Sequence, residues 1–133
     1  MNSTEIINET VKYYTDNPNM RAVDYDGSCL YNTSDGRHCA IGRCLSKKYK
    51  DQGWELSGNA AGLDSLVEDN LGKSPGNSLD DMLMPRYRGQ SFEFWDRLQK
   101  FHDRDRNWDE NGLTENGKGH VIELRDFYYE TIN

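Results

Sequence analysis

The feature that most constrains this chain is a tight turn, Thr33-Ser34-Asp35-Gly36, between two short strand-like runs at 28–32 and 37–40. A type I turn followed by glycine predicts a three-residue hairpin loop with a G1 bulge, because glycine readily adopts the positive φ that the bulge needs. The sequence therefore predicts a short antiparallel hairpin over about 28–40.

The register of this hairpin decides which side chains share a face. With the bulge at Gly36, Tyr31 lies opposite Cys39 and Cys29 lies opposite Ile41, so that Cys29, Tyr31 and Cys39 point the same way. A two-residue turn would instead pair Tyr31 with His38. We favour the first register, since it places a glycine where positive φ is required.

From Ala40 onward the apolar residues recur with helical spacing, which predicts a helix from 40 to a stop at Gly53. Gly42 costs stability early in such a helix, so we expect it to allow a close backbone approach to a neighbour. The predicted structural core around the hairpin consists of Cys29, Tyr31, Cys39, Ile41 and Gly42.

Apolar periodicity predicts further helical segments on both sides of this unit. They are 4–17 with Ser3 or Thr4 as cap, 59–70, a short turn at 78–84, 92–102 capped by Ser91, and a last helix from Thr114 or shortly after. We therefore predict an α+β fold, a helix-rich single domain over 1–133 with one short hairpin packed on four to five helices.

The balance of charge limits the kinds of partner. The 133 residues include 16 Lys+Arg and 23 Asp+Glu, a net charge of −7. General nucleic-acid binding is disfavoured, because it needs a basic footprint. Two interpretations remain: a surface charge that serves solubility, or a surface that competes with nucleic acid for a basic protein groove.

Three cysteines are too few, and odd in number, for a disulfide framework. The N-terminal residues show neither a basic region nor an apolar region typical of a signal peptide, and no apolar run approaches membrane-spanning length. We therefore expect a cytoplasmic protein, in a reducing cytosol, without membrane association.

The cysteines and histidines suggest two kinds of chemistry. Cys29, His38, Cys39 and Cys44 fit no zinc spacing well, so we predict neither a metal nor another cofactor. If the chain is an enzyme, Cys29 is the nucleophile and His38 or His120 the base. The run around His120 superficially resembles the histidine strand of papain-like hydrolases.

Other polar motifs point to ligands or to turns. Arg86-Tyr87-Arg88, in a loop expected to be exposed, has the guanidinium and aromatic groups that hold phosphates and stack on a base. Arg43 and Lys47 fall on one stripe of the helix predicted from residue 40, either as a solvated face or as an anion-facing edge. Asn107-x-Asp109-x-Asn111-Gly112 imitates half a calcium loop but favours a plain Asn/Asp turn.

The runs Gly27-Ser28-Cys29-Leu30-Tyr31 and Gly36-Arg37-His38-Cys39-Ala40-Ile41-Gly42 resemble a G-x-C-x-Y and G-x-x-C-A-[VI]-G pattern in a group of small bacteriophage and prophage proteins. Leu98-Gln99-x-x-His102-Asp103, Trp108 and Gly112-Leu113-Thr114-x-x-Gly117 are similar to the second half of those proteins. The chain departs from them after Gly42, where relatives often continue with an apolar, Pro-containing helix start. The resemblance implies a phage accessory protein made inside a bacterium, without an established activity.

These observations favour an inhibitor or sequestering protein that acts without catalysis against a host defence system. Its partner would be a host protein or a nucleotide signal, the latter held by Arg86, Tyr87 and Arg88 with Arg43 and Lys47. The alternatives are a Cys29-dependent hydrolase or transferase and a phage structural or assembly factor. The sequence leaves both a monomer and an oligomer open.

Overall fold

The structure, a computed structural model, describes residues 1–22, 31, 33, 35–50, 63–72 and 78–132. Its helices and strands in this part of the chain are α1 (Ser3–Asp16), α2 (Lys47–Lys50), α3 (Leu63–Leu71), α4 (Phe92–Asp103), β1 (Trp108–Asp109), β2 (Gly112–Leu113) and α5 (Glu115–Ile132). Short 3-10 helices lie at Pro18–Met20, Gly42–Cys44, Leu79–Met82, Pro85–Tyr87 and Asp105–Asn107. The predicted fold class, a helix-rich α+β domain, is confirmed.

The turn that ends at Gly36 has the predicted hydrogen bonds. The strand predicted at 37–40 is not formed, however, because His38 makes an isolated parallel bridge with Arg21. The Gly36 N–H donates to the Thr33 carbonyl at 3.1 Å, the Thr33 N–H donates to the Arg37 carbonyl at 3.0 Å, and Gly36 has φ +85°. The Cys39 N–H donates to the Tyr31 carbonyl at 3.3 Å, which is the favoured register. Cys29, and with it the expected pairing to Ile41, lies outside the described residues.

The continuous helix predicted from residue 40 is wrong, because the chain breaks at Leu45. Residues 42–44 form a 3-10 helix, and Leu45 is extended with ψ 151° before α2 begins. The backbone there bonds to a distant segment: the Ser46 N–H donates to the Met82 carbonyl at 2.8 Å, and the Met84 N–H donates to the Cys44 carbonyl at 3.0 Å. This pairing replaces the helical hydrogen bonds and removes the stripe on which Arg43 and Lys47 were expected.

The long helices begin where short polar side chains cap them. Asn2, rather than the predicted Ser3 or Thr4, accepts a hydrogen bond from the Glu5 N–H at 2.8 Å, and the Glu5 carboxylate accepts from the Asn2 N–H at 2.9 Å. This reciprocal capping box fixes the start of α1. Ser91 caps α4 as predicted, since its hydroxyl accepts from the Phe94 N–H at 3.1 Å.

A hairpin that the sequence analysis did not predict precedes α5. β1 and β2 pair antiparallel with Trp108 opposite Leu113, around the Asn/Asp turn expected at 107–112. The Asn111 N–H donates to the Asp109 carboxylate at 2.8 Å, and Gly112 has φ +103°. The turn is therefore an Asx turn, and it places Gly117 at the start of α5 against the Asn107 carbonyl.

The buried apolar residues form one core, and aromatic rings supply much of its volume. Trp95, Tyr14, Tyr87, Phe94 and Phe101 are among the largest side chains that are fully buried. α1 packs against α5 and β2, and α4 packs against α5, so these elements enclose the core from several sides. None of the helices described here is long and apolar enough to cross a membrane.

Candidate functional site

Three of the predicted ligand-binding residues, Arg43, Arg86 and Tyr87, meet around the carboxylate of Glu9. Arg43 Nη1 lies 2.7 Å from Glu9 Oε1, and the Tyr87 hydroxyl donates to the same oxygen. Arg86 Nη2 donates to the Tyr87 hydroxyl at 2.7 Å. Tyr87 is fully buried, so the exposed loop expected at 86–89 is wrong for this ring. The ring therefore belongs to the core instead of offering a surface for stacking.

The electrostatics of this network are those of an internal ion pair. Burial raises the pKa of Tyr87 to about 12, and its hydrogen bond to Glu9 acts in the same direction. Burial alone would raise the pKa of Glu9, but the hydrogen bonds from Tyr87 and Arg43 outweigh it and hold the pKa below its usual value. Glu9 is thus ionised and Tyr87 protonated at neutral pH, and together with Arg43 they join α1 to the segments at 42–44 and 85–87.

The other residues singled out in the sequence occupy different surroundings. Arg88 is exposed and its Nε donates to the Leu83 carbonyl at 3.2 Å, while Lys47 is exposed at the start of α2. His38 forms an isolated bridge with Arg21. Burial lowers the pKa of His38, as do the charges of Lys50 and Arg43. Because Cys29 lies outside the described residues, the structure does not place it beside His38 or His120.

Cys39 and Cys44 are free thiols with buried side chains. Burial raises the pKa of Cys44 to about 12, so this thiol is protonated and unreactive at neutral pH. In the described part of the chain, no group of three or more His, Cys, Asp and Glu residues could hold a metal ion.

A groove between α4 and α5 gathers cationic side chains that the sequence analysis did not single out. It consists of two adjoining cavities of about 340 and 370 Å³. The first, called here the Phe127 cavity, is lined by Arg97, Lys100, Arg104, His120, Glu123, Leu124 and Phe127. The second, the Arg106 cavity, is lined by Arg104, Arg106, Glu115, Asn116, Gly119, His120 and Glu123. Since three residues line both cavities, we treat them together as the α4–α5 groove.

The sequence places these cations by helical spacing. Arg97, Lys100 and Arg104 are separated by three and then four residues, which sets them on one face of α4 and its C-cap. The 3-10 turn after Arg104 then brings Arg106 to the same end of the groove. The basic residues at helical spacing in 97–104 are the sequence signal for this groove, and they share α4 with the apolar stripe that predicts the helix.

The cations of the groove differ in how fully they are paired. Arg97 and Lys100 each pair with an acidic residue one turn earlier on α4, at 2.7 and 2.9 Å. Arg104 and Arg106 are exposed and form no salt bridge with any residue in the described ranges. Their charges are consequently available to a ligand.

The hydrogen bonds of Asn107 settle which nitrogen of His120 carries the proton. Asn107 Nδ2 donates to the Phe101 carbonyl at 2.9 Å, and Asn107 Oδ1 accepts from Asn116 Nδ2 at 3.0 Å. The amide is thereby oriented so that Nδ2 faces His120 Nδ1, 3.1 Å away. Nδ1 must accept, and the neutral ring therefore carries its proton on Nε2.

The charge state of His120 follows from its surroundings. Burial lowers its pKa and the nearby Arg104 lowers it further, whereas Glu123 opposes them. The imidazole is neutral at pH 7 and acts as an N–H donor in the groove. The three guanidinium groups and one ammonium of the groove outnumber the carboxylates of Glu115 and Glu123. Together with the neutral N–H donor they are suited to binding a phosphate or carboxylate anion.

A further cavity of about 360 Å³ lies between residues 18–21 and the β1 strand, and its one cation, Arg21, already has partners within the protein. Arg21 Nη2 lies 3.3 Å from Asp105, and Arg21 Nε donates to the His102 carbonyl at 3.1 Å. Its guanidinium also lies over the Trp108 ring, 5.8 Å from the centroid. Arg21 thus links the segment after α1 to the residues that follow α4. The α4–α5 groove is consequently the better candidate for a ligand site.

No family model matches the chain, and neither a curated protein nor a solved structure does. Function is therefore inferred from the side chains of the α4–α5 groove and their charges.

Proposed function

We propose that this chain is a phage-type accessory protein that acts without catalysis and sequesters a small phosphorylated ligand, such as a nucleotide signal, in the host cytosol. The observation that carries the proposal is the convergence of four cationic side chains and His120 on one groove of a chain whose net charge is −7. The resemblance to small phage proteins supports the setting of a host defence system.

The unpaired arginines supply most of the expected affinity. A unit charge 4 Å from a phosphate oxygen gains about 1 kcal/mol in bulk water and about 4 kcal/mol near a protein surface. Arg104 lines both cavities, so a ligand in either one meets its guanidinium. We therefore expect Arg104 to dominate anion binding.

The acidity of the rest of the chain favours a small ligand over a nucleic-acid strand. Residues 67–133 contain fourteen acidic and nine basic residues, so the half that holds the groove is itself acidic. A small anion fits inside the groove, next to Arg104 and Arg106. A long polyanion would extend beyond it, and repulsion acts over a Debye length of about 8 Å at physiological salt.

The test is calorimetric titration of the purified protein with pyrophosphate, comparing Arg104→Glu with Arg88→Glu. Both variants reverse the charge of an exposed arginine, but only Arg104 lines the groove. We expect Arg104→Glu to weaken pyrophosphate binding at least tenfold and Arg88→Glu to change it less than twofold. Equal losses in the two variants, or an unmeasurable affinity of the unmodified protein, would overturn the proposal.

A second candidate function is binding of a host protein, favoured by two exposed apolar side chains on α5. Ile122 and Phe127 on α5 are 56% and 41% exposed. Large exposed apolar groups rimmed by charge are typical of protein interfaces. This function predicts that Ile122→Asp abolishes capture of a specific host protein while pyrophosphate binding stays unchanged.

A further inference from the structure

The two ends of the α4–α5 groove differ in chemical character. The Phe127 cavity contains the apolar side chains of Leu124 and Phe127 in addition to its cations. The Arg106 cavity is lined by polar groups only, and they include the carboxylates of Glu115 and Glu123 as well as Arg104 and Arg106. Lys118 pairs with Glu115 at 2.9 Å, so the two guanidinium groups outnumber the remaining carboxylate of Glu123. A ligand that fills both cavities is therefore expected to have one flat or apolar end and one anionic end.

The apolar end already holds a stacked pair of groups. The Arg97 guanidinium lies 4.1 Å from the centroid of the Phe127 ring, and the ring remains 41% exposed. Guanidinium and aromatic planes both accept a nucleobase by stacking, largely without regard to which base it is. The Tyr128 ring also contacts Phe127 edge-on, 4.9 Å between centroids, so a base at this end would stack on the exposed part of the Arg97–Phe127 pair.

The centre and the far end offer two neighbouring positions for anions. Arg104 and His120 line both cavities, so a phosphate at their junction meets a guanidinium and the Nε2–H donor. Arg106 lies on the far side of this junction and lines only the second cavity. A second phosphate attached to the first would reach Arg106.

From this arrangement we infer that the groove binds a nucleotide with at least two linked phosphates, the base stacked at Phe127 and the terminal phosphate at Arg106. The inference rests on the proposed function, because it names the class of phosphorylated ligand that the same groove takes. Each cavity alone is at the small end of the range for ligand sites, and the joined groove suits a nucleoside diphosphate better than a single phosphate.

The experiment compares three probes by calorimetric titration: ADP, AMP and pyrophosphate. We expect ADP to bind at least fivefold more tightly than AMP, which lacks the second phosphate, and at least fivefold more tightly than pyrophosphate, which lacks the base. GDP in place of ADP is expected to bind within about threefold, since stacking tolerates different bases.

Two variants separate the ends of the groove, each with a matched control. Phe127→Leu is expected to bring the affinity for ADP down to that for pyrophosphate while leaving pyrophosphate binding unchanged. Its control is Phe92→Leu, since Phe92 is 40% exposed on α4 and lines neither cavity. Arg106→Gln is expected to remove the preference for ADP over AMP without weakening AMP, with Arg88→Gln as its control.

The outcomes distinguish this inference from the proposed function. Equal affinities for ADP, AMP and pyrophosphate would overturn the inference and leave anion sequestration standing. Absence of binding by all three probes would overturn both. A loss of ADP binding in Phe92→Leu as large as in Phe127→Leu would also refute the stacking position. All of these side chains are partly or fully exposed, and a thermal melt of each variant verifies folding.

Discussion

The close approach at Gly42 gives a sharp test of the packing between the turn region and the 3-10 helix at 42–44. A Cβ atom added at Gly42 would lie 1.8 Å from the carbonyl oxygen of Tyr31 and 2.7 Å from its carbonyl carbon. Both atoms belong to the backbone, so no side-chain rotation relieves the contact. We predict that Gly42→Ala strongly destabilises the protein.

The size of the effect follows from the displacement that the contact demands. The Tyr31 carbonyl must retreat until its oxygen is at least 3.0 Å from the new methyl group, starting from 1.8 Å. Overpacking of a core typically costs about 1–3 kcal/mol. The same movement strains the hydrogen bond that this carbonyl accepts from the Cys39 N–H, which contributes about 1 kcal/mol more. We expect a loss of about 3 kcal/mol in the free energy of unfolding.

The assay is urea denaturation with a thermal melt, and Gly119→Ala serves as the matched control. Gly119 lies inside α5, and a Cβ there meets no atom within 4 Å. Alanine at that position is expected to stabilise the helix by about 0.5–1 kcal/mol. With about 3–5 °C per kcal/mol for a chain of this size, the two melting temperatures should move in opposite directions. A loss below about 1 kcal/mol in Gly42→Ala would refute the close approach.

Three further predictions concern the buried polar groups. Burial lowers the pKa of His102 in the folded protein, so as the pH falls the unfolded chain binds a proton at this residue before the folded protein does. The free energy of unfolding should therefore fall as the pH drops below about 6.5, by up to roughly 1.4 kcal/mol per pH unit. His102→Gln should make that pH dependence less steep. Parallel curves for the two proteins would contradict this. Arg43→Met should lower the free energy of unfolding, measured by urea denaturation, by roughly 3 kcal/mol. Adding Glu9→Gln to that variant should restore part of the lost stability, whereas purely additive losses would contradict the ion pair. The peptide containing Cys44 should react with a thiol reagent only after unfolding, as read by mass spectrometry, and rapid labelling of the folded protein would count against its burial.

Local chemistry in the sequence was sufficient to predict the elements that depend on it. The turn at 33–36 follows from a glycine at the position that needs positive φ, and the Tyr31–Cys39 register follows from that turn. Ser91 and the spacing of apolar residues similarly predicted α4. These features depend on residues only a few positions apart, so the pattern contains the whole cause.

The errors came from partners far away in the chain. The predicted helix is interrupted at Leu45 because the backbone of 44–46 forms hydrogen bonds with the backbone of 82–84. No residue pattern within 40–53 predicts that pairing. Arg43 is buried because Glu9, 34 residues earlier, neutralises it. Part of the groove could be predicted from the sequence, since Arg97, Lys100 and Arg104 repeat at helical spacing. The approach of His120 from α5 depends on tertiary packing, which periodicity does not encode.

The hydrogen bonds of Asn107 couple the groove to the β1–β2 hairpin, whose residues 108–113 line neither cavity of the groove. Asn107 bonds to Phe101, Asn116 and His120 through its side chain, and its carbonyl accepts from the Thr114 N–H at 2.9 Å. A ligand that fixes the position of His120 therefore also stabilises the hydrogen bonds of Asn107. Amide hydrogen exchange in residues 108–113 should consequently slow on binding, because the β1–β2 hairpin opens less often when the groove is occupied.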